Sequence, residues 1–241
     1  GESFDEPLGD ASIVPTHLLS LFARGKVKVV LSGEGGDELF AGYPTYIGDR
    51  VAELWRRLPR ALRRSVLAAA GRALPTTMGN VGLDYLLGRF AEGCDRDRLE
   101  RHQSWFGGLG PERHTAILSK QLALQLASSD PFAAARAVVA GRSLPDGLSQ
   151  LLYTDFSLYL QDDLLTKVDR ASMLASLEVR APLLDHELAE FAASLPSSYK
   201  LKRLATKRVL RRALTKRLSR EVLTRRKRGF NMPFSRWVLN E

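Results

Sequence analysis

Apolar positions along the chain follow a helical period almost throughout and break it once. Over residues 15–24, Leu18, Leu19, Leu21 and Phe22 predict an apolar-faced helix, with Asp10 or Ser12 as its cap. Val27-Lys28-Val29-Val30-Leu31 is then a short β-branched run that predicts a buried strand. No other stretch reads convincingly as a strand. A single parallel-type strand makes no sheet, so its partners are expected upstream of residue 1.

After a glycine-rich loop the helical period resumes. Residues 49–73 set Leu54, Leu58, Leu62 and Leu67 against Arg56, Arg57, Arg60, Arg63 and Arg64, with Pro59 placed to kink or split the helix. Pro75, Gly79 and Gly82 predict a loop over 74–82. Helices are expected at 83–91, 96–105, 112–127 and 131–140. A longer one over 146–160 has Leu148, Leu151, Leu152 and Tyr159 on one stripe. Helices at 163–176, 185–194 and 206–218 complete the pattern. No repeat, low-complexity tract or linker interrupts it, and residues 50–145 read as scaffold.

The 241 residues, 44% of them apolar, suffice for one sizeable core or two small ones. No run of about 18 apolar residues predicts a membrane span. The first residues carry no basic, apolar leader pattern. The single cysteine, Cys94, has no internal disulfide partner, which fits a reducing, cytoplasmic setting. The net charge of +9 is local: residues 200–228 hold 14 Lys/Arg against Glu221 alone, and the rest of the chain is net acidic. That calls for an anionic partner or a solvated face. On a helix over 206–218, Leu210, Leu214 and Leu218 form the apolar stripe, leaving Lys207, Arg208, Arg211, Arg212 and Lys216 largely on the solvated side. No aromatic residue lies between Lys200 and Gly229 to stack on bases, so nucleic acid is not expected as a partner. The histidines at 17, 102, 114 and 186 are scattered, without metal-ligand spacing.

The chemistry concentrates in Ser32-Gly33-Glu34-Gly35-Gly36-Asp37-Glu38, directly after the predicted strand. A loop from a parallel strand into a helix is where open α/β sheets bind ligands, and glycines let the backbone turn and approach closely. Three acids would repel a bare triphosphate, but Mg²⁺ prefers one or two carboxylates plus phosphate oxygens and water. The loop therefore predicts a site for a nucleotide–metal complex, Mg-ATP. The bland alternative is a helix cap with Asp37 and Glu38 against the dipole.

Continued as Leu39-Phe40-Ala41-Gly42-Tyr43, the loop resembles the synthetase domain of glutamine-hydrolysing asparagine synthetases. The resemblance extends to Phe4-Asp5-Glu6-Pro7 with Asp10, and to Tyr159-Leu160-Gln161-Asp162-Asp163-Leu164-Leu165. It continues through Lys167-Val168-Asp169-Arg170-Ala171-Ser172-Met173 and Leu177-Glu178-Val179-Arg180-Ala181-Pro182-Leu183-Leu184-Asp185. It ends with Lys227-Arg228-Gly229-Phe230, Pro233 and Trp237. It implies an α/β parent fold, the ATP-pyrophosphatase (adenine nucleotide α-hydrolase-like) parallel sheet with helices on both sides. This chain would supply a predominantly α-helical portion with little strand. Residues 1–48 would form the nucleotide site, 49–145 the helical scaffold, and 146–241 the part completing the active site.

The activity implied is adenylation of a substrate carboxylate, aspartate or a relative, by ATP and Mg²⁺, followed by attack of ammonia derived from glutamine. By motif position, Ser32, Gly33, Gly35 and Gly36 would meet the nucleotide, Glu34 would act at the acyl-adenylate step, and Asp37 with Glu38 would hold the metal. Lys227 would neutralise departing phosphate charge, with Lys207 a second cation for the nucleotide. Asp163 and Asp169 are candidates for the acceptor pocket, whereas Glu178, Arg180 and Asp185 read as structural. The family's pyrophosphate loop, S-G-G-x-D-S, and its glutaminase domain are not in the sequence. The chain is therefore expected to be the C-terminal portion of a larger, cytoplasmic enzyme, inactive when isolated. No membrane or nucleic-acid partner is expected, and self-association is left open. Two alternatives stand: a related ligase that closes β-lactam rings or acts on sugars or peptides, some of which carry Tyr at the Glu34 position, and a non-catalytic helical interaction module.

Overall fold

The computed structural model describes residues 8–73, 82–106 and 117–225. The resemblance segments at 4–7 and 227–237, Lys227 among them, lie outside the described residues, as do residues 74–81 of the loop predicted over 74–82 and the start of the 112–127 helix. The chain divides into two compact units, Gly1–Gly42 with Leu152–Glu241, and Tyr43–Leu151.

In the first unit the strand β1, Val29–Leu31, pairs in parallel with β2, Glu178–Arg180, in the register Val29↔Glu178, Val30↔Val179, Leu31↔Arg180. The backbone bonds Glu178 N–H to Lys28 C=O, 3.0 Å, and Ser32 N–H to Arg180 C=O, 2.8 Å, extend the ladder at both ends. This corrects two expectations. The strand has a partner downstream, and β1 is not buried: Val29 and Leu31 are 40% and 73% exposed. Glu178-Val179-Arg180 has too short a period-2 pattern to announce a strand. Among the described residues no third strand is added.

Helix Ile13–Arg24 lies against helix Thr166–Met173. The predicted stripe does not do the packing, since Leu18, Leu19, Leu21 and Phe22 are all exposed. The packed face carries Thr16, His17 and Ser20 instead, and His17 Nδ1–H donates to the Ala171 carbonyl at 2.9 Å. Lys167 adds an ion pair to Asp10 at 2.5 Å, nearly buried. Asp10 does not cap the helix; its Oδ1 accepts from the Ser12 N–H at 2.8 Å. The predicted break near residue 161 is absent. Helix Gly147–Thr154 runs into an 11-residue π-helix, Asp155–Leu165, and then into Thr166–Met173. The i→i+5 bonding of a π-helix is rare and gathers at functional sites. A small core, Leu39, Phe40 and Ala192 with Leu184, Leu188, Val209 and Leu210, joins helices Gly36–Phe40, His186–Ser194 and Arg208–Leu214.

In the second unit Pro59 splits the predicted 49–73 helix into Pro44–Trp55 and Arg60–Ala73. Pro44 sits in the first turn, where its missing N–H costs nothing. The centre is polar. Arg101, fully buried on helix Arg98–Phe106, donates through Nε to Asp49 at 3.1 Å and through Nη2 to Asp49 and Glu53. Buried His102 stacks on Tyr46 with ring centroids 5.4 Å apart. Cys94 is buried here too, and burial pushes its thiol pKa up. Among the described residues no helix is long and apolar enough to cross a membrane.

Candidate active site

The site is built on the C-terminal ends of β1 and β2. Parallel pairing brings Ser32, which leaves β1, beside Ala181, which leaves β2. A cavity of about 250 Å³ opens there, lined by Ser32 and Glu34 from the loop, Glu178 and Val179 from β2, and Asp169 with Ser172 from helix Thr166–Met173. Leu165, Val168, Met173 and Ala181 supply its apolar wall. The Ser32 hydroxyl is buried and has no hydrogen-bond partner among the described residues, which buried polar atoms seldom lack.

The loop owes its path to glycine at two positions. Gly35 has φ of 82°, and a Cβ there would run into the Leu184 side chain. Gly42 closes the turn after helix Gly36–Phe40, its N–H donating to the Asp37 carbonyl at 2.9 Å. A Cβ on Gly42 would overlap Asp37 Oδ1 and Lys207 Cε. Gly36 is buried, whereas a Cβ on Gly33 would meet none of the described residues within 4 Å.

Asp37 and Glu38 part company. The Asp37 carboxylate, partly exposed, pairs with Lys207 Nζ at 2.9 Å. Glu38 is 2% exposed and belongs to an acidic neighbourhood around Tyr159 that includes buried Asp155 and the half-buried Asp10 and Asp163. Burial, helped by the charges of Asp163, Asp10, Glu38 and Asp155, pushes the Tyr159 phenol well above its usual range. Asp163 is likewise raised, by burial and by Asp10, with Lys167 partly offsetting them. For Asp10 burial is again the largest influence, but bonds from Lys167 and Ser12 outweigh it and hold the carboxyl below its usual range.

Of the sequence-derived candidates, the structure therefore brings Ser32, Glu34 and Asp169 to one cavity. Asp37 and Lys207 form a neighbouring pair, and half-buried Asp163 and buried Glu38 lie in the acidic cluster around Tyr159. Glu178, read from the sequence as structural, makes the expected ion pair with Arg180 at 2.7 Å and also lines the cavity. Its signal was the position of Leu177-Glu178-Val179 after the helical block, which a strand alone could turn into a cavity wall. Asp185 is structural, its Oδ1 accepting from the Glu187 and Leu188 N–H groups at the start of helix His186–Ser194. Among the described residues no three His, Cys, Asp or Glu converge to hold a metal by themselves. The Asp37 carboxylate, the Gly33 backbone and the Ser32 hydroxyl are donors of the types that a metal–nucleotide complex uses.

The parallel strand pair with its acid- and glycine-rich loop and flanking helices agrees with the ATP-pyrophosphatase fold, to which the family that the chain matches belongs. The chain belongs to the asparagine synthase family, whose model matches residues 2–241. A protein of Mycobacterium bovis named putative asparagine synthetase (glutamine-hydrolyzing) is 34% identical over 241 residues, covering 97% of this chain and 34% of the relative. Asparagine synthetase (glutamine-hydrolyzing) 1 of Bacillus subtilis is 30% identical over 240 residues, 99% of this chain and 36% of the relative. Amidase chyE of Penicillium rubens is 27% identical over 190 residues, 77% of this chain and 28% of the relative. The chain thus spans about a third of the length of these relatives. No solved structure matches it significantly.

Proposed function

We propose that this chain carries the adenylate-forming half of an ATP-dependent amide ligase that activates a carboxylate, aspartate in the first instance, for attack by ammonia released from glutamine. The observation that carries the reading is the cavity in which Ser32 and Glu34, at the end of one strand, face Asp169 and Glu178 from the far part of the chain.

Bound Mg²⁺ supplies charge neutralisation and in-line placement of the phosphates. The chain's own residues do the rest. Asp37 holds the ion, the Gly33 backbone and Ser32 hydroxyl position the nucleotide, and Lys207 offsets phosphate charge. Lys227 takes the same role on the motif match alone. Glu34 accepts the proton that the attacking amine must lose, a general-base contribution of about 10²–10⁴-fold. Among the described residues that line the cavity there is no lysine or arginine, while Glu34, Asp169 and Glu178 are present. An acceptor bearing an ammonium group, as an amino acid does, is electrostatically matched to that wall. The apolar residues opposite would hold its carbon skeleton.

The test is Mg-ATP binding and carboxylate activation, read as ATP-dependent hydroxamate formation with aspartate and hydroxylamine in the polypeptide that contains this chain. Asp37→Ala should abolish nucleotide binding. Glu34→Gln should keep binding and lower amide formation by about 10²-fold or more. Residues 1–241 alone should give little ATP–pyrophosphate exchange, because their sequence holds no S-G-G-x-D-S loop. Full activity in Glu34→Gln, or unaltered binding in Asp37→Ala, would overturn the assignment.

A further inference from the structure

Lys207 reaches Asp37 by a route that the fold maintains at some cost. Its backbone adopts the left-handed region, φ 50° and ψ 35°, which lysine disfavours. The Lys207 N–H donates to the Phe40 carbonyl at 3.1 Å, and its own carbonyl accepts the Arg211 N–H at 2.8 Å. Residue 207 is thereby fixed between the end of helix Gly36–Phe40 and the start of helix Arg208–Leu214. The side chain then passes over Gly42, where any Cβ would strike both its Cε and the Asp37 carboxylate, and ends 2.9 Å from Asp37 Oδ1. Surface ion pairs arise without such provisions. Here a strained backbone and an omitted side chain converge on one carboxylate.

We propose that Lys207 is a positioning residue, a resident counter-ion of Asp37. It holds that carboxylate in place while no metal is bound, and it is displaced toward the phosphates when the metal–nucleotide complex enters. The proposal rests on Asp37 being the metal carboxylate. It adds a consequence of opposite sign in two measurements. A cation entering alone must break the Lys207–Asp37 pair and meets a second positive charge nearby. A cation entering with phosphates gives the displaced ammonium a new anion. Lys207 therefore weakens binding of the bare ion and strengthens binding of the ion with its phosphates. A residue that only props the loop would strengthen both.

The experiment uses Mn²⁺ in place of Mg²⁺, followed by electron paramagnetic resonance, on the 241-residue chain, first alone and then with inorganic pyrophosphate. An ion pair of this exposure corresponds to about a fivefold change. Lys207→Met should bind Mn²⁺ alone about fivefold more tightly and Mn²⁺–pyrophosphate about fivefold more weakly, with Lys207→Arg close to the parent in both. A change of the same sign in both titrations, or none, overturns the proposal while leaving the metal assignment standing. If the parent chain binds Mn²⁺ in neither titration, or binds it equally well as Asp37→Ala, the metal assignment falls and the proposal with it. A measurement on the unaltered chain covers the case of a variant that does not fold. Site-resolved acetylation of Lys207, referenced to exposed Lys202 and Lys216, should rise about fivefold on saturation with Mg²⁺ and fall back when pyrophosphate is added. An acetylation rate indifferent to Mg²⁺ overturns it equally.

Discussion

Replacing Lys167 by methionine tests how the cavity wall is held. Lys167 opens the helix that brings Val168, Asp169, Ser172 and Met173 to the cavity, and its ammonium, 8% exposed, bonds Asp10 at 2.5 Å. Methionine keeps the length and apolar stem and removes the charge. Breaking a fully buried pair from one side costs about 3–5 kcal/mol. Asp10 retains some exposure and its bond from Ser12, so the expected loss is about 2–3 kcal/mol at pH 7. The sign with pH follows from two carboxyls. In the parent chain Asp10 lies below the ordinary 3.8, so its contribution is intact above that value and lost as pH falls through the lower folded value. In the variant, burial acts on Asp10 without the opposing ammonium. Asp163, already raised, loses the same offset. Both folded values then lie above those in the parent chain, so the variant recovers relative to the parent as they take up protons. The stability difference, read from urea unfolding, should therefore shrink by at least about 1 kcal/mol between pH 7 and pH 4. Pairing the change with Asp10→Asn should restore part of the loss, as a double-mutant cycle would show. A deficit that is flat across that range, or below about 1 kcal/mol at pH 7, would refute the view that this pair clamps the helix electrostatically.

Arg101→Met should destabilise the Tyr43–Leu151 unit by about 2–3 kcal/mol, because buried Asp49 loses its Arg101 bonds and keeps the ion pair from Arg98 at 3.2 Å; urea unfolding followed by tryptophan fluorescence reads it. Gly35→Ala combines a left-handed backbone with overlap on Leu184 and should cost about 2–4 kcal/mol, seen as a lowered melting temperature that Leu184→Ala partly restores. Cys94, buried with a raised thiol pKa, should react with a thiol reagent only as fast as the unit opens, so rapid labelling of the folded chain would contradict its placement.

Local chemistry was legible where it depends on neighbours in the chain. Glycines interleaved with acids behind a β-branched run marked the loop at 32–38, and the order of the blocks marked the family. Pro59 ended a helix where proline must. The helical content followed from periodicity alone. What the sequence could not supply was pairing across distance. Nothing in Glu178-Val179-Arg180 says that it lies beside Val29-Val30-Leu31, and that pairing turns Glu178 from half of an ion pair into a cavity wall. The same holds for Lys207. Its helical neighbours assign it to a solvated face, but a left-handed backbone one residue before the helix sends its side chain over Gly42 to Asp37. Apolar stripes misled at helix Ile13–Arg24, where Leu18, Leu19 and Phe22 remain exposed and His17 and Ser20 make the contact. Periodicity reports that an apolar face exists, while only the tertiary structure decides what meets it. The sequence by itself determined the loop's chemistry, because charge and backbone freedom are properties of residue types. The tertiary structure decided which carboxylate faces the cavity, which faces a lysine and which is buried, because those depend on segments far apart in the chain.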